Sequence, residues 1–350
     1  MAGLVRGTIP TPPATRATGS SRSEEHVDVI LPVAGLGSRL RPQTWTRPKP
    51  LVTVGGKPML SHVMDRVMAA EPSSIIFVTG FLGHQIEEWA RREIDVPVSF
   101  VEQPVMRGQT DAILKARELA RNDALILFPD MLFEADFRGL RDIDADVVAF
   151  TKEVDDPSVY GVAVIDDGKV VRLVEKPQEP ISRQAIVGIY YFRNMDALYS
   201  AIDEQMERGI SLKNEYFLAD AIQIMIERGA KVIALDVGAW EDCGNVETLL
   251  STNRYILDNE GTTAPDLAGA QIIAPSFIAP DAVIEDSVIG PYASIGAGAV
   301  IRNSRVQNSV VDERAQIDGS ELDASLIGRR AIVAGLSGSV NIGDDAVVRA

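Results

Sequence analysis

The chain reads as an α/β domain built on a mostly parallel, mixed sheet, followed by a left-handed parallel β-helix. Two patterns predict this. From residue 27 to about 250, short β-rich runs alternate with helical patterns; after about residue 270, branched apolar residues recur every five or six positions.

VDVILPVAG (27–35) predicts a buried strand entering a glycine turn, and MLSHVMDRVMAA (59–70) carries apolar residues at helical spacing. SIIFVTG (74–80) predicts a strand, HQIEEWARRE (84–93) an amphipathic helix and VSFVEQ (98–103) a strand. TDAILKARELA (110–120) predicts a helix and ALILFPD (124–130) a strand. Such alternation argues for a parallel sheet with helices on both faces. Ligands in these sheets bind beyond the carboxyl ends of the strands, where the glycine turn and Asp130 both fall. Residues 146–180 are more hairpin-like, with Asp167-Gly168 as the turn, and AIVGIYYFRN (185–194) is another strand. MDALYSAIDEQMERG and FLADAIQIMIERG predict helices, each ending in glycine; KVIALDVG (231–238) is a last strand, and NVETLLSTNRYILDN (245–259) a helix leading away.

The apolar repeat then takes over at Ile278, Ile284, Ile289, Ile295, Ile301, Val306, Val311, Ile317, Leu322, Ile327 and Val333. Three short strands per coil with small or polar corner residues produce that period, whereas a β-sandwich would not keep one so short. SVNIGDDAVV (339–348) resumes the pattern after a Gly/Ser interruption. The expected organisation is an N-terminal extension over 1–26, an α/β domain over 27–258, a linker over 259–271 and the β-helix over 272–350. Residues 1–26 are rich in Pro, Thr, Ser, Gly and Ala without periodicity and lack a secretory apolar core; they read as a disordered extension, a transit peptide being the weaker alternative.

The 350 residues carry a formal net charge of -16, which argues against broad nucleic-acid binding. No run of 18 apolar residues is present to span a bilayer. A single cysteine, Cys243, allows no intrachain disulfide and points to a reducing, cytoplasmic compartment. His26, His62 and His84 form no metal-ligand spacing. Against this acidic background, VAGLGSRLRPQTWTRPKP (33–50) concentrates glycine and positive charge with no acid. It is not a Walker A loop, because Ser38-Arg39 stands where a Lys-Ser/Thr pair is needed; Leu40 replaces the third glycine of a dinucleotide fingerprint. Glycines still permit close backbone approach, and exposed N–H groups bind phosphate oxygens. Arg39 offers a bidentate fork and Lys49 a compact point charge.

The segment AGLGSRLRPQTWTRPKPLVTVGGKPML resembles the signature of sugar-1-phosphate nucleotidyltransferases, G-x-G-x-R-L-x-P-x-T followed by P-K-P and a later K-P-M/L. VEQPVMRGQTDAI resembles the family's nucleobase segment, and Asp130, VEKP (174–177), VGIYYF (187–192) and WEDCGN (240–245) follow in the family's order. The resemblance covers residues 27 to about 258 and implies a Rossmann-like catalytic domain; the β-helix matches the family's longer members. It implies that Ala34, Gly35 and Gly37 contact nucleotide, that Arg39 grips the triphosphate and that Lys49 binds phosphate at the reacting centre. Gln103 would read the base edge with Gly108 packed close by. Asp130 and Asp242 would hold Mg²⁺, and Gly161, Glu175, Lys176 and Gly188 would line the sugar-phosphate pocket. The implied substrates are a nucleoside triphosphate and a sugar 1-phosphate. Glucose 1-phosphate with dTTP leads, ahead of mannose 1-phosphate with GTP and of pairs using UTP or ATP.

Each residue also has a plainer reading: Asp130 as a cap, Asp242 as a solvated turn acid, Glu175-Lys176 as a surface pair, Gln103 as a polar strand end. Cys243 reads as a small buried neighbour of Asp242, Trp45 and Trp240 as packing residues, and His62 and His84 as structural. The chain departs from the family with Pro129 where glycine usually precedes the aspartate, with RGQTDA in the base segment and with Asn245 after Gly244. No histidine follows His84 and no lysine follows Lys231, so a second, acyl-transferring site is not expected in the β-helix. Subunit contacts in a homo-oligomer, or a regulatory metabolite, are the expected use of that domain. The rival from another class is a non-catalytic relative that senses nucleotide sugar; such proteins often lose the active-site Lys or Asp, which this chain retains.

Overall fold

The computed structural model describes residues 27–265, 267 and 269–350; the extension expected over 1–26 lies outside them. Nine strands form the main sheet: β1 (Val27–Pro32), β2 (Pro72–Thr79), β3 (Val98–Glu102), β4 (Ala124–Leu127) and β5 (Val147–Glu153), then β6 (Val162–Asp166), β7 (Lys169–Val174), β8 (Gln184–Phe192) and β9 (Val232–Asp236). Their spatial order is β3-β2-β1-β4-β8-β5-β9-β7-β6. β1 pairs in parallel with both β2 and β4, β2 with β3, and β9 with β5. β8 runs antiparallel to β4 and β5, and β7 to β6 and β9. The chain leaves β1 towards β2 on one side and returns to β4 on the other. The ends of β1 and β4 therefore flank a topological switch point, where α/β sheets open a crevice.

The apolar runs of the central strands serve both faces. Ile30 and Ile126 pack under α3 (Gln109–Lys115), α4 (Met195–Glu207) and α5 (Leu218–Glu227). Leu31, Phe77 and Leu127 pack under α1 (Met59–Val67) and α2 (Gly83–Glu93). The Asp167-Gly168 turn has both residues at positive φ, as a two-residue hairpin requires.

Two elements are shorter than the pattern suggested. The helix expected over 110–120 stops at Lys115, because Ala116, Arg117 and Leu119 bond to the carbonyl three residues back, the tighter turn that ends many helices. The strand expected over 124–130 stops at Leu127. Pro129 has no N–H to give a ladder, and the chain re-forms as Met131–Phe133, which pairs with Trp240–Asp242 in a separate ribbon.

α6 (Val246–Glu260) begins with a capping box between Asn245 and Thr248 and leads towards the second domain. From Ala270 on, short strands stack into three five-stranded parallel sheets, the arrangement of a β-helix. Phe277, Ser294, Val310, Leu326 and Asn341 stand in register on one sheet, so successive coils take 17, 16, 16 and 15 residues. All eleven apolar positions named from the repeat are buried. Two corners carry serine ladders: Ser287 Oγ accepts from Ser304 N and Ser304 Oγ from Ser320 N, while Ser309 Oγ accepts from Ser325 N. One part of the seam between the domains is apolar, joining Leu40, Val52 and Val54 to Leu249, Ile256, Val310 and Leu326.

Candidate active site

Beyond β1 the glycine loop turns on Gly37, whose φ of 61° is left-handed. A Cβ there would also stand 2.9 Å from Lys49 Cβ, so conformation and space both demand glycine. Thr44 Oγ1 donates to the Gly37 carbonyl at 2.8 Å and holds the turn. Gly35 has open space where a Cβ would be, and Ala34 packs on Gly80. Lys49 lies in a single helical turn, Lys49–Leu51, and is buried. Its Nζ reaches Asp130 Oδ2 at 3.1 Å, yet the Asp130 side chain remains 48% exposed. The pair opens onto a cavity of about 340 Å³ whose lining includes Gly35, Arg39, Lys49, Gln103, Gly108 and Asp130.

Asp130 immediately precedes one strand of the Met131–Phe133/Trp240–Asp242 ribbon, and Asp242 ends the other. Asp242 stands opposite Met131 in the ribbon, and Cys243 N donates to the Asp130 carbonyl at 3.2 Å. At Gly244 a Cβ would lie 2.8 Å from Asp242 Oδ2 and 3.2 Å from Arg39 Nη2, so glycine lets the second acid and the loop arginine close on one point. Cys243 is buried, and burial pushes its thiol up to about 12; Asp242 and Asp130 push the same way, while Thr252 and Lys49 oppose them. The thiol is closed off from solvent. Asp130, half-exposed on the cavity, and Asp242, next to Gly244 in the cavity wall, are a donor set that fits Mg²⁺, which takes one or two carboxylates and completes its shell with substrate oxygens and water.

Gln103 is buried at the end of β3. Its Nε2 donates to Asp111 Oδ2 at 2.8 Å and to the Gly108 carbonyl at 3.1 Å. Both partners are acceptors, so the NH₂ group must face them and the amide oxygen is what remains for a ligand. Gly108 has φ 105°, and a Cβ there would meet Tyr216 N at 2.5 Å. Its close approach serves the strand-like bonds between Tyr216 N and Arg107 O and between Thr110 N and Tyr216 O.

The four positions expected in the sugar-phosphate pocket are placed differently. Gly188, at φ 86°, faces Phe128 and Met131, and Phe128 lines the cavity. Gly161, Glu175 and Lys176 cluster together but do not line it: a Cβ on Gly161 would meet Glu175 Oε2 at 2.8 Å. Glu175 is no solvated surface acid, since burial raises its pKa despite Lys176 Nζ at 3.4 Å. Lys176 also lies over the Phe217 ring at 5.1 Å.

The structure adds residues the sequence reading missed. Asp111, which orients Gln103, sits in the quoted RGQTDA segment; Glu215 lines the cavity with no sequence signal. Trp45, expected to pack, is 61% exposed, because it rides the outer side of the loop beside Pro42 and Ile342. Trp240 does pack, against Tyr160 at 4.7 Å. His62 bonds the Val54 carbonyl at 2.9 Å, a structural place. Among the described residues no helix is long and apolar enough to cross a membrane.

Comparison with known proteins bears on this crevice. The nucleotidyl transferase family model matches residues 28–259. A glucose-1-phosphate thymidylyltransferase of Streptomyces antibioticus is 30% identical, over 85% of this chain and 91% of its own. A low-salt glycan biosynthesis nucleotidyltransferase of Haloferax volcanii is 30% identical over 86% and 92%. A crystal structure of UDP-glucose pyrophosphorylase complexed with UDP-glucose superposes with a TM-score of 0.59 at 23% identity, covering 67% of this chain and 100% of that one, a likeness of fold.

Proposed function

The chain belongs to the nucleotidyl transferase family, and on that premise we propose that it joins dTTP and glucose 1-phosphate into a nucleoside diphosphate sugar, releasing pyrophosphate. Transfer of a nucleotidyl group from a triphosphate to a sugar 1-phosphate is the reaction class of its relatives across nearly their whole length. The observation that carries the reading is the half-open Lys49–Asp130 pair at the mouth of a cavity walled by the glycine loop.

The chemistry asks little of acid–base groups. The sugar phosphate is already ionised at neutral pH, and one of its oxygens attacks the α-phosphorus in line as pyrophosphate leaves. What the protein must supply is position and positive charge. Glycine-loop N–H groups and Arg39 take the triphosphate, and Lys49 takes phosphate charge at the reacting centre. Asp130 and Asp242 would hold Mg²⁺, which supplies charge neutralisation at the phosphates. Gly188, next to Phe128, faces the acceptor's side, with Gly161, Glu175 and Lys176 behind it as supports.

The orientation of Gln103 suits a base edge that offers a donor. Its free group is a carbonyl oxygen, which accepts a hydrogen bond from a ring N–H. Thymine, uracil and guanine carry one on the edge away from the sugar, and adenine presents its exocyclic amino group there, from which the same oxygen accepts. The oxygen therefore admits each of these bases, and likeness to the thymidylyltransferases favours dTTP.

Pyrophosphate release on a panel of four triphosphates and several sugar 1-phosphates tests the reading. dTTP with glucose 1-phosphate is expected to be fastest. Fastest turnover with ATP contradicts the base assignment, and no release with any pair contradicts the catalytic reading.

A further inference from the structure

The segment from Arg41 to Val52, which contains Lys49, has no regular structure beyond single helical turns. Its shape is set by partners some 260 to 300 residues away. Gln43 is buried, and its Nε2 donates to the Ile342 carbonyl at 2.8 Å, the Leu326 carbonyl at 3.3 Å and Asn341 Oδ1 at 3.1 Å. Asn341 returns a bond to the Arg41 carbonyl. Thr46 Oγ1 donates to Asp344 Oδ2 at 2.8 Å. Arg47, buried at the centre, pairs with Asp312 at 2.6 Å and Asp344 at 3.3 Å. The same guanidinium donates to the Leu51 carbonyl and Thr53 Oγ1, and Thr53 in turn donates to Asp312. Arg47 thus bridges from one side of Lys49 to the other while anchored on the β-helix.

We propose that the β-helix is a brace for the phosphate-binding segment, and that Arg47, held by Asp312 and Asp344, is a positioning residue for Lys49. The proposal rests on the nucleotidyl-transfer reading of the crevice. Buried ion pairs are poor sources of stability, since apolar residues of similar volume do as well or better. Their use is geometric, because a guanidinium fork between two carboxylates admits one register. The β-helix does not need these charges for its own core, which is a stack of apolar side chains. Asp312 and Asp344 stand instead at the corners that meet the loop. Asp344 has a fully buried side chain and accepts further bonds from Arg329 N at 2.8 Å and Arg329 Nε at 2.9 Å, which fix it from the β-helix side. A displaced Lys49 would still be charged but would miss the developing charge, and small misplacements at a reacting centre carry large rate penalties.

The test uses the full chain with Arg47→Lys and, separately, Asp344→Asn, which nearly preserves shape while removing one charge. Melting curves establish folding, steady-state kinetics give kcat and both KM values, and calorimetry gives the affinity for dTTP. The expected result is folded variants whose kcat/KM for dTTP falls about tenfold or more and whose dTTP affinity weakens, with KM for glucose 1-phosphate within about twofold of normal. Variants with a lowered melting temperature but unchanged kcat, KM values and dTTP affinity at a temperature where they are folded overturn the proposal, as a merely structural pair would behave so. Failure of the catalytic reading is seen separately, as a wild-type protein that releases no pyrophosphate. The brace then stands or falls on whether the variants weaken dTTP binding.

Discussion

Two cation–carboxylate pairs begin two residues apart in this chain and end in opposite states. Lys49 meets Asp130, whose side chain is 48% exposed; Arg47 meets Asp344, whose side chain is 0% exposed. The first pair faces a cavity and leaves lone pairs and charge available. The second is closed on all sides by Thr46 and Arg329 as well as Arg47. An incompletely satisfied pair at a cavity is poised to exchange partners with a ligand, whereas one whose carboxylate is buried and fully bonded holds a shape. The same contrast separates the domains: the crevice keeps polar groups half open, while the β-helix consumes its serine hydroxyls in ladders.

Breaking the open pair has the largest expected effect. Lys49→Ala is expected to lower kcat by about 100- to 1,000-fold, roughly 3–4 kcal/mol of barrier by analogy with a lost oxyanion donor. Its melting curve should be close to normal, and a near-normal rate in the folded variant refutes the role. In the β-helix the reverse holds. Ile301→Ala, at a fully buried position in the apolar stack of the β-helix, should cost about 2–5 kcal/mol of stability without changing KM for either substrate. Denaturant midpoints and kinetics together check this, and a changed KM for dTTP would blur the division of labour.

A smaller effect separates the halves by pH. His62 is buried against the Val54 carbonyl, and burial lowers its pKa from 6.5 to about 4, with Lys57 and Arg66 adding to the drop. A histidine held neutral when folded binds fewer protons than the unfolded chain. Its stabilising contribution is complete above 6.5 and is lost as pH falls towards 4, about 3 kcal/mol at one pKa unit per 1.36 kcal/mol. The β-helix contains no histidine. Urea midpoints between pH 7 and 4.5 should fall for the wild type and fall less for His62→Asn; equal slopes contradict the assignment. The smallest effect is expected at Ser304→Ala. It leaves Ser320 N without its acceptor, a cost of about 1–3 kcal/mol, seen in the melting curve but not in turnover.

Much of the fold was legible because its signals are periodic. Strand–helix alternation located the main-sheet strands, and the five-or-six-residue repeat named side chains that are all buried. The glycine loop was legible because its spacing constrains backbone, and Gly37 does require a left-handed turn against Lys49. Pattern could not reveal where Pro129 splits the strand before Asp130, since that depends on which partner the chain finds next. Nor could it show that Arg47 and Gln43 reach across the chain to Asp312 and Ile342, because such pairings are made by domain docking and leave no local period. Arg47 looked like one more cation in a phosphate loop, but its charge is spent on the β-helix. Gln103 was found as a candidate reader of the base; its orientation came only with Asp111.

The most direct measurement is pyrophosphate release against Mg²⁺ concentration for the wild-type protein and for Asp130→Asn, with dTTP and glucose 1-phosphate. Wild-type turnover should vanish with a chelator and return with Mg²⁺, while the folded variant should stay below about one hundredth of that rate at every concentration. A folded Asp130→Asn protein that turns over at close to the wild-type rate contradicts the claim that the open pair is where the triphosphate is held.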